Sequence, residues 1–142
     1  MLQSAAQTVR ECRAQRRGVT TRLLAVTILT SLDDADLRQI GIDHSVSGEV
    51  LNLARLARSA GIEGIVASPQ EVQHLRAEHG RALVLVTPGV RLDPSRSHDQ
   101  KRVSTPASAI REGSDFLVMG RSLLESADPP ATLERVLQEI RP

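Results

Sequence analysis

Four short apolar runs punctuate this chain, and between them apolar residues recur with the period of a helix. Residues 22–30 (RLLAVTILT) are almost continuously apolar and rich in β-branched side chains, the pattern of a strand covered on both faces. Residues 64–68 (GIVAS), 82–87 (ALVLVT) and 115–119 (DFLVM) read as three further strands. The segment 2–17 has neither Gly nor Pro and sets Leu2, Ala5, Ala6, Val9 and Cys12 on a helical period that stops at Gly18. Asp33-Asp34 opens a short helix to Ile40, with carboxylates where the helix dipole favours them. Residues 46–60 put Val50, Leu53, Ala54 and Ala57 on one face before Gly61. Three later helices are marked by their first residues. Ser68-Pro69-Gln70-Glu71 offers an N-cap, a proline at the first helical position and a glutamate placed to close a capping box. Thr105-Pro106 and Asp128-Pro129-Pro130 offer the same cap-and-proline start. The stretch 91–102 (RLDPSRSHDQKR) is polar, aperiodic and the longest loop.

The order is one helix, then strand and helix four times over. Such alternation predicts an α/β protein whose parallel strands follow one another in sequence, joined by right-handed crossovers, with helices on the outer face. No linker or low-complexity tract divides the chain, so residues 1–142 form one domain. A closed eight-stranded barrel usually takes about 250 residues. An open parallel array would leave its first and last strands unpaired. The pattern therefore describes either a small doubly wound domain or half of a larger object.

Composition narrows the functions. The 142 residues carry 18 basic and 17 acidic side chains, a net charge of +1, and 1 % aromatic residues. That balance excludes a general polyanion binder, and Phe116 alone gives nucleic-acid bases almost nothing to stack on. The single cysteine, Cys12, excludes an intrachain disulfide and reads as a helix-packing residue. No run approaches 18 apolar residues and no signal-like segment opens the chain, so a soluble cytoplasmic protein with no membrane partner is expected. The histidines (His44, His74, His79, His98) lack ligand spacing, which predicts no metal site, and His74 and His79 are expected on a solvated helix face. Every cation but Lys101 is an arginine, a residue that clamps anions well and gives up its proton poorly.

In parallel βα folds reactive groups gather at the carboxyl ends of the strands. Here those ends read Thr30-Ser31, Ser68-Pro69, Thr87-Pro88-Gly89-Val90-Arg91 and Gly120-Arg121-Ser122. The last two each pair glycine with arginine. Gly120 would let a phosphate approach the backbone, and Arg91 and Arg121 could grip its oxygens. The same arginines read equally well, on spacing alone, as solvated loop charges.

These strand ends carry a resemblance. LLAVTILTSL (23–32), GIVASPQE (64–71), VTPGVR (86–91), DQKRVSTPASAIREGSD (99–115) and FLVMGRSLL (116–124) are together similar to bacterial orotidine 5′-phosphate decarboxylase. The specific part is the combination: TPGVR, a glutamine nine residues beyond its arginine, a Thr-Pro helix start, and Gly-Arg closing the final strand. The resemblance implies a partial (β/α)8 TIM barrel comprising about the last four βα units. It also implies a cofactor-free lyase of pyrimidine (UMP) biosynthesis, which acts as a homodimer on a small-molecule substrate. By matching motif, Thr30 would contact the pyrimidine. Arg91 and Arg121 would bind the 5′-phosphate beside the Gly120 amide, and Gln100 would reach the substrate from the long loop.

The family's chemistry resides in earlier strands, in an Asp, a Lys and a D-x-K-x-x-D motif, and no such motif occurs in these 142 residues. No catalytic residue is therefore assigned here. In the family that network sets an aspartate against the substrate carboxylate and protonates the carbanion from the lysine. Lys101, in the loop, is no substitute, and an arginine would donate a proton very poorly. Three origins remain open at this point: a shortened gene, a degraded copy, or one part of a split enzyme. So do two other functions: a non-catalytic phosphate-binding or interaction half-barrel, and another sugar-phosphate decarboxylase of the wider barrel group.

Overall fold

The computed structural model describes residues 1–92 and 102–141. Its elements run α1 (Leu2–Gln15), β1 (Leu24–Val26), α2 (Asp34–Gln39), α3 (Val46–Ser59), β2 (Gly64–Val66), α4 (Pro69–His79), β3 (Val84–Thr87), α5 (Pro106–Glu112), β4 (Phe116–Leu117), α6 (Arg121–Leu124) and α7 (Pro129–Ile140). The four strands form one sheet in the order β1-β2-β3-β4, and each neighbouring pair is parallel. This is the predicted topology. The strands are shorter than their apolar runs, and α6 is an addition that no periodicity in four residues could announce.

The helix starts follow their local chemistry. Ser45, Thr105 and Asp128 accept from the amides of Gly48, Ser108 and Ala131, and prolines occupy the first turns of α4, α5 and α7. Asp33 and Asp36 close a reciprocal capping box at α2, while Asp34 accepts from the amide of Val46 and joins α2 to α3. Ser68 caps α4 through Gln70 alone. The capping box expected from Glu71 does not form, because that side chain turns inward to a partner described below.

The core lies between the sheet and the helices. Ile65, Leu85, Leu83, Val50, Ala54, Val72 and Leu75 are buried there, with Leu37 of α2. On α3 the buried face is Val46, Val50, Ala54 and Ala57, with Leu53 only half-buried. Cys12, expected in packing, is exposed. His79, expected on a solvated face, is buried and shares its Nδ1 with Arg58 at 3.1 Å.

The opposite face of the sheet departs most from expectation. In register, Leu24 stands beside Gly64 and Val84, and Val26 beside Val66, Val86 and Phe116. A strand buried on both sides is predicted for 22–30, yet Leu24 is 43 % exposed, Val26 61 % and Phe116 59 %. Helices cover only one side, so every second strand residue is left on an apolar concave surface. A cavity of about 690 Å³ opens there, lined by Leu24, Val84, Val86 and Phe116 with Thr20 and Arg22.

Two ionic ties hold the amino ends of the strands. Arg76 of α4 donates to the carbonyls of Gly113 (2.7 Å), Leu83 (2.8 Å) and Gly80 (2.9 Å) and pairs with Asp115, which also accepts from the Leu85 amide. Arg13 of α1 pairs with Glu63 at 2.8 Å and brings α1 to the start of β2. That hydrogen bond is the main reason the Glu63 carboxyl is held below its ordinary range, partly against the effect of burial.

Two outcomes follow for stability. A methyl at Gly64 would lie 2.9 Å from the Val84 carbonyl oxygen and press on Leu24. Gly64→Ala should therefore cost about 1–3 kcal/mol in a urea melt. Glu63 is the second case. A carboxyl lowered by folding stabilises at neutral pH, and that contribution is lost as the pH falls through its folded value. Glu63→Gln should then show a shallower loss of melting temperature on acidification than the parent chain. An equally steep acid limb would place the dependence on the similarly lowered Glu78 and Glu49.

Candidate functional site

β3 runs out at Thr87 into Pro88-Gly89-Val90-Arg91. Gly89 takes φ +78°, a turn that side chains rarely permit, and the chain is then clamped by a second parallel bridge. Across that bridge the Arg91 amide donates to the Ser104 carbonyl at 2.9 Å and the Ser104 amide to Gly89 at 3.2 Å. Arg91 is thereby fixed at its backbone and is only 6 % exposed. It is not a solvated loop charge.

β4 is continued by Val118, whose amide donates to the Thr87 carbonyl at 2.9 Å, and ends at Gly120, from which α6 departs. Gly120 has an ordinary φ of −107°, and a Cβ built there would meet nothing within 4 Å. The surrounding packing does not demand glycine. Its effect is to leave open space beside the chain. Arg121 follows, exposed.

These two strand ends enclose a cavity of about 210 Å³, lined by Pro88, Gly89, Val90, Arg91, Val118, Gly120, Arg121 and Ser122. Its charged lining residues, among those described, are two arginines, a pair suited to an anionic group. The volume falls short of the roughly 300–1,000 Å³ of a whole small-molecule site, so it suits one anionic group of a ligand.

The structure thus brings together three of the residues singled out from sequence: Arg91, Gly120 and Arg121. Thr30 lies at the same, carboxyl end of the sheet but in the loop after β1, at the opposite edge. Three strand spacings, about 14 Å along the sheet, separate the two edges. Gln100 lies outside the described residues, as does Lys101. Among the described residues no cluster of His, Cys, Asp or Glu could hold a metal ion, and no helix is long and apolar enough to cross a membrane.

Two residues of this rim were not read from sequence. Arg102, at the end of the polar stretch, is 6 % exposed, and its Nη1 lies 2.7 Å from Oε1 of Glu71, itself 3 % exposed. Arg102 Nη2 also donates to the carbonyls of Ile28 (3.2 Å) and Leu29 (2.9 Å). Nothing in periodicity or composition separates a buried arginine from a solvated one in such a loop. The same pair lines a groove of about 420 Å³ with Asp33, Asp34, Ser45 and Gln70.

Fold and site define an α/β protein of the parallel-barrel class with a cationic cavity at the carboxyl ends of two adjacent strands. Comparison with known proteins makes the class specific. Residues 1–136 match the family model described as orotidine 5′-phosphate decarboxylase / HUMPS. A curated orotidine 5′-phosphate decarboxylase of Syntrophotalea carbinolica is 46 % identical over 140 residues, covering 99 % of this chain and 57 % of that protein. The one from Geobacter metallireducens is 49 % identical over 123 residues, covering 87 % and 52 %. The crystal structure of orotidine 5′-phosphate decarboxylase from Lactobacillus acidophilus superposes with a TM-score of 0.78 at 32 % identity, covering all of this chain and 58 % of that one. The chain belongs to the orotidine 5′-phosphate decarboxylase / HUMPS family. It spans about half the length of the curated relatives it matches, and its fold is a partial TIM barrel.

If the cavity holds an anion by its own geometry, charge near it and charge elsewhere should differ in effect. Arg121→Ala should abolish binding of inorganic phosphate in an NMR titration, and Arg111→Ala, exposed on α5, should change it less than twofold. Equal losses would mean that the attraction is diffuse.

Proposed function

We propose that residues 1–142 are the substrate-gripping half of an orotidine 5′-phosphate decarboxylase, the lyase that converts orotidine 5′-phosphate to UMP and carbon dioxide. The observation that carries this reading is the cavity in which Arg91, Gly120 and Arg121 meet. In it the two guanidinium groups take the 5′-phosphate, each charge-assisted contact contributing about 1.5–3 kcal/mol. The open side of Gly120 lets the phosphate reach the backbone. Gln100 reaches the same substrate from its loop, and Thr30, at the far edge of the mouth, contacts the pyrimidine.

The proton donor and the carboxylate that opposes the substrate's own carboxylate belong to a complement that covers the apolar face of the sheet. The form of that complement follows from the helices. The outer layer begins with α1 before β1 and ends with α7 after β4, so both flanks of the sheet already carry a helix. A piece that closes the barrel needs four more strands but only the helices between them. A second copy of this chain would crowd two helices against each seam. The remaining part of a relative's length fits, and the completed barrel, a cytoplasmic homodimer using no cofactor, is the working enzyme.

Alone, the chain should not decarboxylate orotidine 5′-phosphate, and its affinity for UMP should be no better than about millimolar. A purified chain mixed with the part of the Syntrophotalea carbinolica enzyme that it does not match should gain turnover. Turnover on the order of 1–1000 per second by the chain alone would place the chemistry within these residues. Binding without turnover in any mixture would favour a non-catalytic phosphate-binding half-barrel.

A further inference from the structure

Arg102 is a charged side chain buried in the rim of the site, touching two segments that are far from it and from each other in sequence. Its Nη2 donates to the carbonyls of Ile28 and Leu29, in the loop that leads from β1 to Thr30. Its Nη1 lies 2.7 Å from Oε1 of Glu71, in the first turn of α4 above β2. Two residues further on, the Ser104 carbonyl accepts the amide of Arg91, a residue that lines the anion cavity. One guanidinium therefore ties the loop at one edge of the sheet to the strand end that carries Arg91.

Stability is a poor account of this arrangement. A buried ion pair loses about as much hydration as it regains in attraction, and apolar side chains of equal size commonly serve as well. This pair is also incompletely satisfied: Glu71 Oε2, Arg102 Nε and Arg102 Nη1 make no hydrogen bond among the described residues, so the two side chains meet as an ion pair alone. Glu71 is moreover placed where it could close a helix cap, and it is turned away from that use. What the planar fork supplies, and an ammonium or an apolar group does not, is a fixed geometry among several acceptors.

We propose that Arg102, held by Glu71, is a positioning residue that sets the distance between the Thr30 loop and the Arg91 cavity, and so selects a phosphate ester carrying a base over a bare sugar phosphate. This rests on the reading that the Thr30 edge takes the pyrimidine. Arg102 touches no substrate in this account. It acts through the backbone of residues 28–29 and of 102–104.

The test compares three probes, inorganic phosphate, ribose 5-phosphate and UMP, by NMR titration of the full chain and of Arg102→Lys. Wild type should bind UMP more tightly than ribose 5-phosphate. Arg102→Lys should lower UMP affinity about tenfold, a change of about 1.4 kcal/mol, to the level of ribose 5-phosphate. Its inorganic phosphate affinity should stay within twofold, and amide exchange should quicken at residues 29–32 but not in β3. Glu71→Gln, which keeps the side chain's size, should reproduce this pattern and serves if Arg102→Lys does not fold. An unchanged preference for UMP, or a parallel loss for all three probes in a folded variant, would overturn the proposal. A wild-type chain that binds UMP no better than ribose 5-phosphate would overturn the Thr30 reading first, before any variant is compared, and the proposal with it.

Discussion

A parallel sheet is stable only when both of its faces are covered, and here the chain's own helices cover one. Much else in the molecule follows from that imbalance. The buried side, with Ile65, Leu85 and the inner stripe of α3 and α4, orders the strands and fixes their register. Because register is fixed from that side, the uncovered side is equally well ordered. Val26, Val66, Val86 and Phe116 stand in one row across four strands with no layer of the described residues above them. The surface is a preformed half of an interior, curved and apolar, flanked at both edges by helices already in place.

The same order places charge. An arginine in a loop ordinarily stays in water, and lifting one out is costly unless its donors are used. Arg91 and Arg102 are both buried at the carboxyl end of the sheet, Arg91 fixed at its backbone by Ser104 and Arg102 held by the carbonyls of Ile28 and Leu29. Arg121, exposed on the next strand end, completes the cationic lining from the solvent side. A buried cation beside an exposed one suits an anion that must be both aligned and admitted.

Topology was legible in the sequence because it depends on features that repeat: apolar runs, prolines in first turns, and the caps Ser68, Thr105 and Asp128. The meeting of Arg91, Gly120 and Arg121 was legible because adjacent parallel strands end side by side. What could not be read is which side chains the fold turns inward. Leu24 and Val26 look like core residues, since their composition is that of an interior, and only the absence of a covering layer exposes them. Glu71 has the spacing of a cap and the burial of a core residue, and local chemistry cannot choose between those uses when the competing partner lies 31 positions away. His79 and Cys12 exchanged their expected environments for the same reason. A helical period assigns faces but not the neighbours that meet them.

Arg76 shows how unevenly such a molecule should come apart. It joins α4 to the carbonyls of Leu83 and Gly113 and to Asp115, so β3, β4 and the helices behind them are cross-linked at their amino ends. Among the described residues β1 has only β2 as a strand partner, and α1 returns to the body through Ala6 and the part-buried pair of Arg13 with Glu63. Local opening begins where such ties are fewest. The chain should therefore fray from its amino-terminal third while the β3–β4 pair stays folded. A partly melted molecule would open its Thr30 edge well before it opened the cavity between the ends of β3 and β4.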